Sequence, residues 1–162
     1  MKVSIGKYPK NGEQRKSIRI DRWDTWDMAH TLADIIHPML KQLKKTQMGA
    51  PWTDDEDVPE KLRSTNAKPK KNEWDPDSNH FKRWDWILSE MIWAFGELAH
   101  DRDPDFCIKK GKYKTVKKEG QGWSELVTVV EPVYDWDKMK AYHERKKNAF
   151  RLFGKYYENL WD

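Results

Sequence analysis

The sequence predicts a helix-dominated α+β fold in a single domain covering residues 1–162. Three observations predict it. Apolar residues recur at helical spacing over three long stretches, roughly 25–47, 78–100 and 136–160. Short period-2 runs flank turn-rich segments near the N-terminus and again within 106–131, the pattern of two β-hairpins. A chain of 162 residues also suits one core. Hydrophobic residues make up only 37% and charged residues 36%, a balance that by itself resembles disorder. Ten Trp, six Tyr and five Phe argue against that reading. Each can bury roughly 150–250 Å², so a few large side chains suffice for a core.

The elements follow in order. Val3 and Ile5 alternate with Lys2 and Ser4, and Ile18 and Ile20 alternate with Ser17 and Arg19, around the turn signal Pro9-Lys10-Asn11-Gly12. The first helix takes Asp24 or Thr25 as its cap, with Asp27 in its first turn. Ala29, Leu32, Ala33, Ile36, Leu40 and Leu43 form its apolar stripe, and Gly49 and Pro51 stop it. Pro38 inside this pattern predicts a kink near 34–38. Residues 50–77 form a long irregular connection. Its Asp54–Asp57 run reads as a solvated loop, with Trp52 and Trp74 pinning the ends to the core.

The second helix starts near Asp77 or Ser78 and carries Trp84, Leu88, Met91, Phe95 and Leu98 on one stripe, with Trp86 and Trp93 adjoining. An apolar face this wide makes it the central helix. Tyr113–Lys118 and Glu125–Val130 flank Glu119-Gly120-Gln121-Gly122, a Lys-rich hairpin insertion within 106–131. The last helix begins near Asp135 or Asp137. Its near-heptad face of Met139, Tyr142, Ala149, Phe153, Tyr156 and Leu160 is interrupted by Lys146, a face suited to a homodimer. The expected core is Trp23, Trp26, Leu32, Ile36, Trp84, Leu88, Met91, Phe95, Ala149, Phe153 and Tyr156. The Tyr156–Trp161 end is expected to be docked.

Composition excludes several classes. No run of about 18 apolar residues exists, so a membrane span is not expected. The N-terminal MKVSIGKYPK lacks a signal-peptide core, and a lone Cys107 fits a reducing compartment. The net charge of +4 conceals an acidic middle between two basic ends, unlike a uniformly basic nucleic-acid binder. A basic patch stands out at Lys109, Lys110, Lys112, Lys114, Lys117 and Lys118. These lysines either neutralise phosphates of an anionic partner or guard a strand edge against aggregation.

Trp-Asp pairs recur at Trp23, Trp26, Trp74, Trp84, Trp136 and Trp161, two of them preceded by Arg22 and Arg83. The spacing is too irregular for a propeller. Two readings stand. In one, Asp serves helix N-termini while Trp covers the end of the core. In the other, Arg22, Trp23, Arg83, Trp84, Glu90 and Arg151 line a pocket for an anionic small molecule or nucleotide, with stacking from Trp and pairing from Arg. His30, Asp34 and His37 share one helix face, either as a divalent-metal set or as a solvent-facing polar stripe. No phosphate-cradling glycine loop, nucleophile elbow or partnered catalytic thiol is present, so the expectation leans away from an enzyme and implies no cofactor.

RIDRWDTWDM (19–28), IIHPMLKQLK (35–44), DDEDVPEKLRST (54–65), HFKRWDWILSEMIWAF (80–95) and RLFGKYYENLWD (151–162) together resemble a family of small tailed-bacteriophage proteins with no established activity. The resemblance implies a phage protein made in the host bacterial cytoplasm and carries over no catalytic residue. The expected function is a non-enzymatic, tryptophan-rich accessory protein that binds a nucleotide-type ligand or a host protein, for example against host defence. The alternatives are a virion or assembly component and a metal-dependent enzyme built on His30, Asp34 and His37.

Overall fold

The computed structural model describes every residue except Tyr8, Asn11, Lys71, Asp103, 118–123 and Asp162, with Ile5 and Lys117 described in backbone only. It shows the expected helix-dominated α+β class: three long helices and small antiparallel strand pairs. The chain divides into two compact units, Met1–Arg102 with Ala149–Asp162, and Asp103–Asn148.

In the first unit, β1 (Lys2–Ile5) pairs antiparallel with β2 (Lys16–Arg19), Val3 opposite Ile18. A short 3₁₀ turn at Arg22–Thr25 follows. Asp21 caps it, accepting from the Trp23 N–H, while the Asp24 carboxylate takes the Asp21 N–H in return. The expected Asp24/Thr25 cap thus belongs to this turn and not to the long helix. Helix α1 (Met28–Thr46) starts one step later behind Asp27 and runs through Pro38.

Helix α2 (His80–Ala99) is the central element. Trp84, Ile87, Leu88, Met91, Ala94 and Phe95 are buried on it. Its stripe is wide because elements pack on more than one side. Gly96 lets α1 come close: a Cβ there would meet the His37 ring at 3.1 Å. The helix ends where Asp101 takes a left-handed conformation (φ 47°). The Asp101 N–H donates to Leu98 and the Arg102 N–H to Glu97, satisfying carbonyls the helix leaves open.

The core expectation needs correction at its N-terminal end. Trp84, Leu88, Met91, Phe95, Ala149 and Tyr156 are buried, and Ile36 and Phe153 pack against them half-buried. Trp23 and Trp26 are 64% and 82% exposed, and Leu32 is also exposed. The two rings touch each other instead, at 6.1 Å between centroids. The 3₁₀ turn directs them away from the α1–α2 contact.

Residues 50–77 contain three short 3₁₀ turns, Asp55–Asp57, Glu60–Leu62 and Ser64–Asn66. Trp52 and Trp74 do not pin this segment; both are exposed. Val58 does, buried within the main cluster, together with Asp57, only 3% exposed. Reading Asp54–Asp57 as wholly solvated is therefore wrong at its last residue.

The second unit holds two separate strand pairs and the start of helix α3 (Trp136–Lys155). Strand β3 (Cys107–Lys109) pairs with β6 (Val133–Tyr134). Strands β4 (Lys112–Lys117) and β5 (Ser124–Val130) form an antiparallel ribbon with Lys114 opposite Val127. The expected turn Glu119–Gly122 and Lys118 lie outside the described residues. Phe106 packs on Tyr142 at 5.6 Å, and the Asp135 carboxylate caps α3 by accepting the Lys138 N–H, as its position in the sequence suggested.

Candidate functional site

The C-terminal end of α3 sets up a groove in the first unit. Tyr156 is drawn inward: its ring meets Trp84 edge-on at 5.9 Å, and its hydroxyl donates to Asp57 at 2.6 Å. With Tyr156 inside, the chain leaves the α-helix and turns through Tyr157–Asn159. Tyr157 consequently faces outward, its ring 5.6 Å from Phe153, which in turn lies edge-on against Phe95 at 4.7 Å.

Leu160 and Trp161 complete one wall, and α1 supplies the other through Leu32, Ile36, Met39, Leu40 and Leu43. The enclosed volume is about 890 Å³. No charged residue lines it, in a chain where charged residues reach 36%. Leu40 forms the floor and is buried; Leu32, Met39, Tyr157 and Trp161 stand exposed at the rim. Such a groove offers no charge to a small ionic substrate; its polar side-chain groups are the Tyr157 hydroxyl and the Trp161 indole N–H. It matches the apolar face of an amphipathic helix, which presents residues at the same three-and-four spacing.

An ionic cluster ties the end of α3 beside this groove to the 50–77 connection. The Asp57 carboxylate receives Arg151 Nη2, Lys155 Nζ and the Tyr156 hydroxyl, each at 2.6 Å. Burial pushes the Asp57 carboxyl up, but those three hydrogen bonds outweigh it and hold it below the usual carboxylate range. Burial, with the same hydrogen bond, pushes the Tyr156 hydroxyl up to about 12. Lys155 also reaches Asp54 at 2.6 Å, and its pKa is raised by the Asp54 and Asp57 contacts.

A second clamp lies across the same connection. Arg83 forks onto Asp77 at 3.0 and 2.6 Å, and donates further to the Leu62 carbonyl and the Thr53 hydroxyl. The fork from Arg83 holds the Asp77 carboxyl below its ordinary range. Above this pair opens a polar cavity of about 880 Å³, with Trp52, Asp55, Glu56, Lys68 and Lys70 among its lining. Its charges of both signs stand close together, and its Asp55 is taken up by the Ser64 N–H and hydroxyl.

The six residues proposed for an aromatic, Arg-lined pocket do not assemble into one. Arg22 lies over the Trp23 ring at 4.8 Å, both on the surface. Trp84 is 1% exposed, so neither ring face is open to a flat ligand. Arg83 spends its fork on Asp77, and Arg151 donates to Asp57. Glu90 is buried on α2 among the core residues.

The His30, Asp34 and His37 set also separates. His30 turns to Asp27, 2.7 Å from Nδ1, while His37 faces Gly96 and His100, the two imidazoles 5.3 Å apart. Burial, with Lys41, His100 and Arg102 nearby, holds His37 below the usual imidazole range. Among the described residues no three His, Cys, Asp or Glu side chains converge as a metal ion requires. Of the basic patch, Lys109 lies on β3, Lys112, Lys114 and Lys117 on β4, and Lys110 between them; Lys118 lies outside the described residues.

Sequence reasoning missed the groove because it assigned Leu32, Ile36 and Phe153 to the core. The available signal was Met39, which widens the α1 stripe beyond what one neighbouring helix covers, together with the Tyr157–Trp161 cluster. No helix among the described residues is long and apolar enough to cross a membrane. Set against known protein families, curated proteins and solved structures, the chain matches none of them.

Proposed function

We propose that this chain is a non-enzymatic binding protein that docks an amphipathic helix of another protein in the α1–α3 groove. The observation that carries this reading is a groove of about 890 Å³ with no charged residue in its lining. Its rim is built from Leu32, Met39, Tyr157 and Trp161, and exposed apolar patches with aromatic anchors are the usual basis of protein recognition. The setting that goes with it is the one the sequence resemblance implies: an accessory protein of a tailed phage that engages a host protein in the bacterial cytoplasm.

A second reading is favoured by aromatics outside the groove. Trp26, Trp74 and Trp136 are exposed and none of them lines the groove, an arrangement suited to subunit contacts in a virion or assembly intermediate.

Photo-crosslinking separates these readings. A benzophenone amino acid at Met39 or Tyr157 should trap one discrete partner during infection, and Leu32→Asp should abolish the adduct. The same probe at Trp74 should trap none. Equal adducts from Met39 and Trp74 would discard the groove as the site. Recovery of the protein from purified virions, in stoichiometric amounts, would replace the host-protein reading with the assembly one.

A further inference from the structure

The β4–β5 ribbon has two edges of opposite character. β4 carries Lys112, Lys114 and Lys117, the kind of charge that discourages strand addition. β5 reads Ser-Glu-Leu-Val-Thr-Val-Val: seven residues rich in β-branched side chains, with one charge, no Pro and no Gly. Among the described residues β5 pairs with β4 alone, so its outer edge carries unpaired backbone donors and acceptors.

Both faces of the ribbon also hold apolar side chains in water. The register puts Tyr113 and Leu126 on one face and Val116 and Val127 on the other, and all four are exposed. An isolated two-stranded ribbon is marginally stable in water, and further strands or a packed face are needed to hold it.

We infer that β5 pairs antiparallel with β5 of a second copy of this chain, giving a continuous four-stranded sheet β4-β5-β5-β4. Strand geometry fixes the register. A two-fold axis perpendicular to the sheet keeps each side chain on its own face, so directly opposed residues must have numbers of equal parity. The axis therefore passes through one residue. The register shift beyond Thr128 leaves Val129 as an extra residue and breaks the alternation there, so the regular stretch is Ser124–Thr128, and an axis through its middle residue, Leu126, pairs all five of its residues.

Leu126 then faces its symmetry mate, Glu125 faces Val127, and Ser124 faces Thr128. No like charges are opposed, whereas an axis at Glu125 would place two carboxylates face to face. The lysine-bearing β4 strands become the outer edges, where they stop further addition and limit the assembly to two chains. This interface shares no residue with the lining of the α1–α3 groove and stands or falls independently of it.

Sedimentation of the full-length protein over a concentration series tests the inference. The unaltered protein should be a dimer at high concentration. Leu126→Glu should weaken it about tenfold or more, because two carboxylates then meet at the axis. Single cysteines in a Cys107→Ser background read the register. Leu126→Cys should oxidise to a covalent dimer, and Thr115→Cys, its neighbour on β4, should not. If Leu126→Glu fails to fold by circular dichroism, the cysteine pair decides alone. A protein that stays monomeric throughout, a dimer indifferent to Leu126→Glu, or equal crosslinking at 115 and 126 would overturn the inference.

Discussion

The connection 50–77 and the β4–β5 ribbon invert each other. Among its described residues the connection contains only three short 3₁₀ turns, yet it buries Val58 and Asp57 and is tied down by two ionic clamps. The ribbon has an antiparallel ladder, regular from Tyr113 to Lys117, yet Tyr113, Val116, Leu126, Val127 and Val129 are all exposed. Regular backbone pairing and thermodynamic anchoring are thus separate properties. A backbone hydrogen bond in water replaces one to water and contributes only about 1 kcal/mol net. Burying a side chain with its partners satisfied contributes more and reports where the fold is held. In this chain the irregular segment belongs to the stable part, and the regular one does not.

The sharpest way to break that contrast is to cut the connection's clamps. Arg83→Met should cost about 3–5 kcal/mol, because Asp77, itself almost fully buried, is left as a charge without its fork. Chemical denaturation measures it directly. A loss below about 1 kcal/mol would mean that the connection is held by apolar contacts alone. Asp57→Asn should cost less, about 2–3 kcal/mol, since its partners Arg151 and Lys155 keep access to water.

The same clamps predict the pH response. Asp57 and Asp77 both have folded pKa values below the ordinary 3.8. Their contribution is therefore complete above that value and is lost as the pH falls through the lowered folded values. The sign reverses at the alkaline end. Tyr156 is raised from 10.0 to about 12, so its share is complete below 10 and is lost as the pH rises toward 12. Thermal melts across pH should show the acid limb flattened in Asp57→Asn. An acid limb identical to that of the unaltered protein would show that Asp57 is not held by its three donors.

Local patterns in the sequence were legible where their cause is local. Helical spacing located α1, α2 and α3, alternation located the β1–β2 pair and the ribbon, and the start of α3 was placed near Asp135 or Asp137, where Asp135 caps it across three residues. The misplacements share a different cause. Asp57 meets Arg151 and Tyr156, 94 and 99 residues away. Nothing in its own neighbourhood, four consecutive acids before Val58, marks one of them for burial. Trp23 and Trp26 failed in the opposite direction. Their size argued for the core, but the turn that carries them is set by Asp21 and Asp24 rather than by packing. The groove was hidden for a related reason: an apolar stripe on α1 looks the same whether another element of this chain or a foreign one covers it.

The smallest effect is also the most direct comparison of the two regions, because it uses one residue type in both. Val58 is 4% exposed in the connection and Val129 is 60% exposed on β5. Truncating Val58 to Ala removes two buried methyl-sized groups and leaves space around them, so Val58→Ala should cost about 1.5–2.5 kcal/mol. Val129→Ala removes surface that water already reaches, and in dilute, monomeric protein it should cost less than about 0.5 kcal/mol. Secondary structure alone predicts the reverse order, since Val129 sits in a strand and Val58 in a loop. Amide exchange should rank the regions in the same way: the Asp57 and Val58 amides, bonded to Asp54 and Asp55, should exchange only with substantial unfolding. The ribbon amides should exchange through cheap local opening at low concentration and become protected as the protein concentration rises. Rapid exchange at Val58, or a larger cost at Val129, would show that the ladder and not the clamped connection anchors the fold.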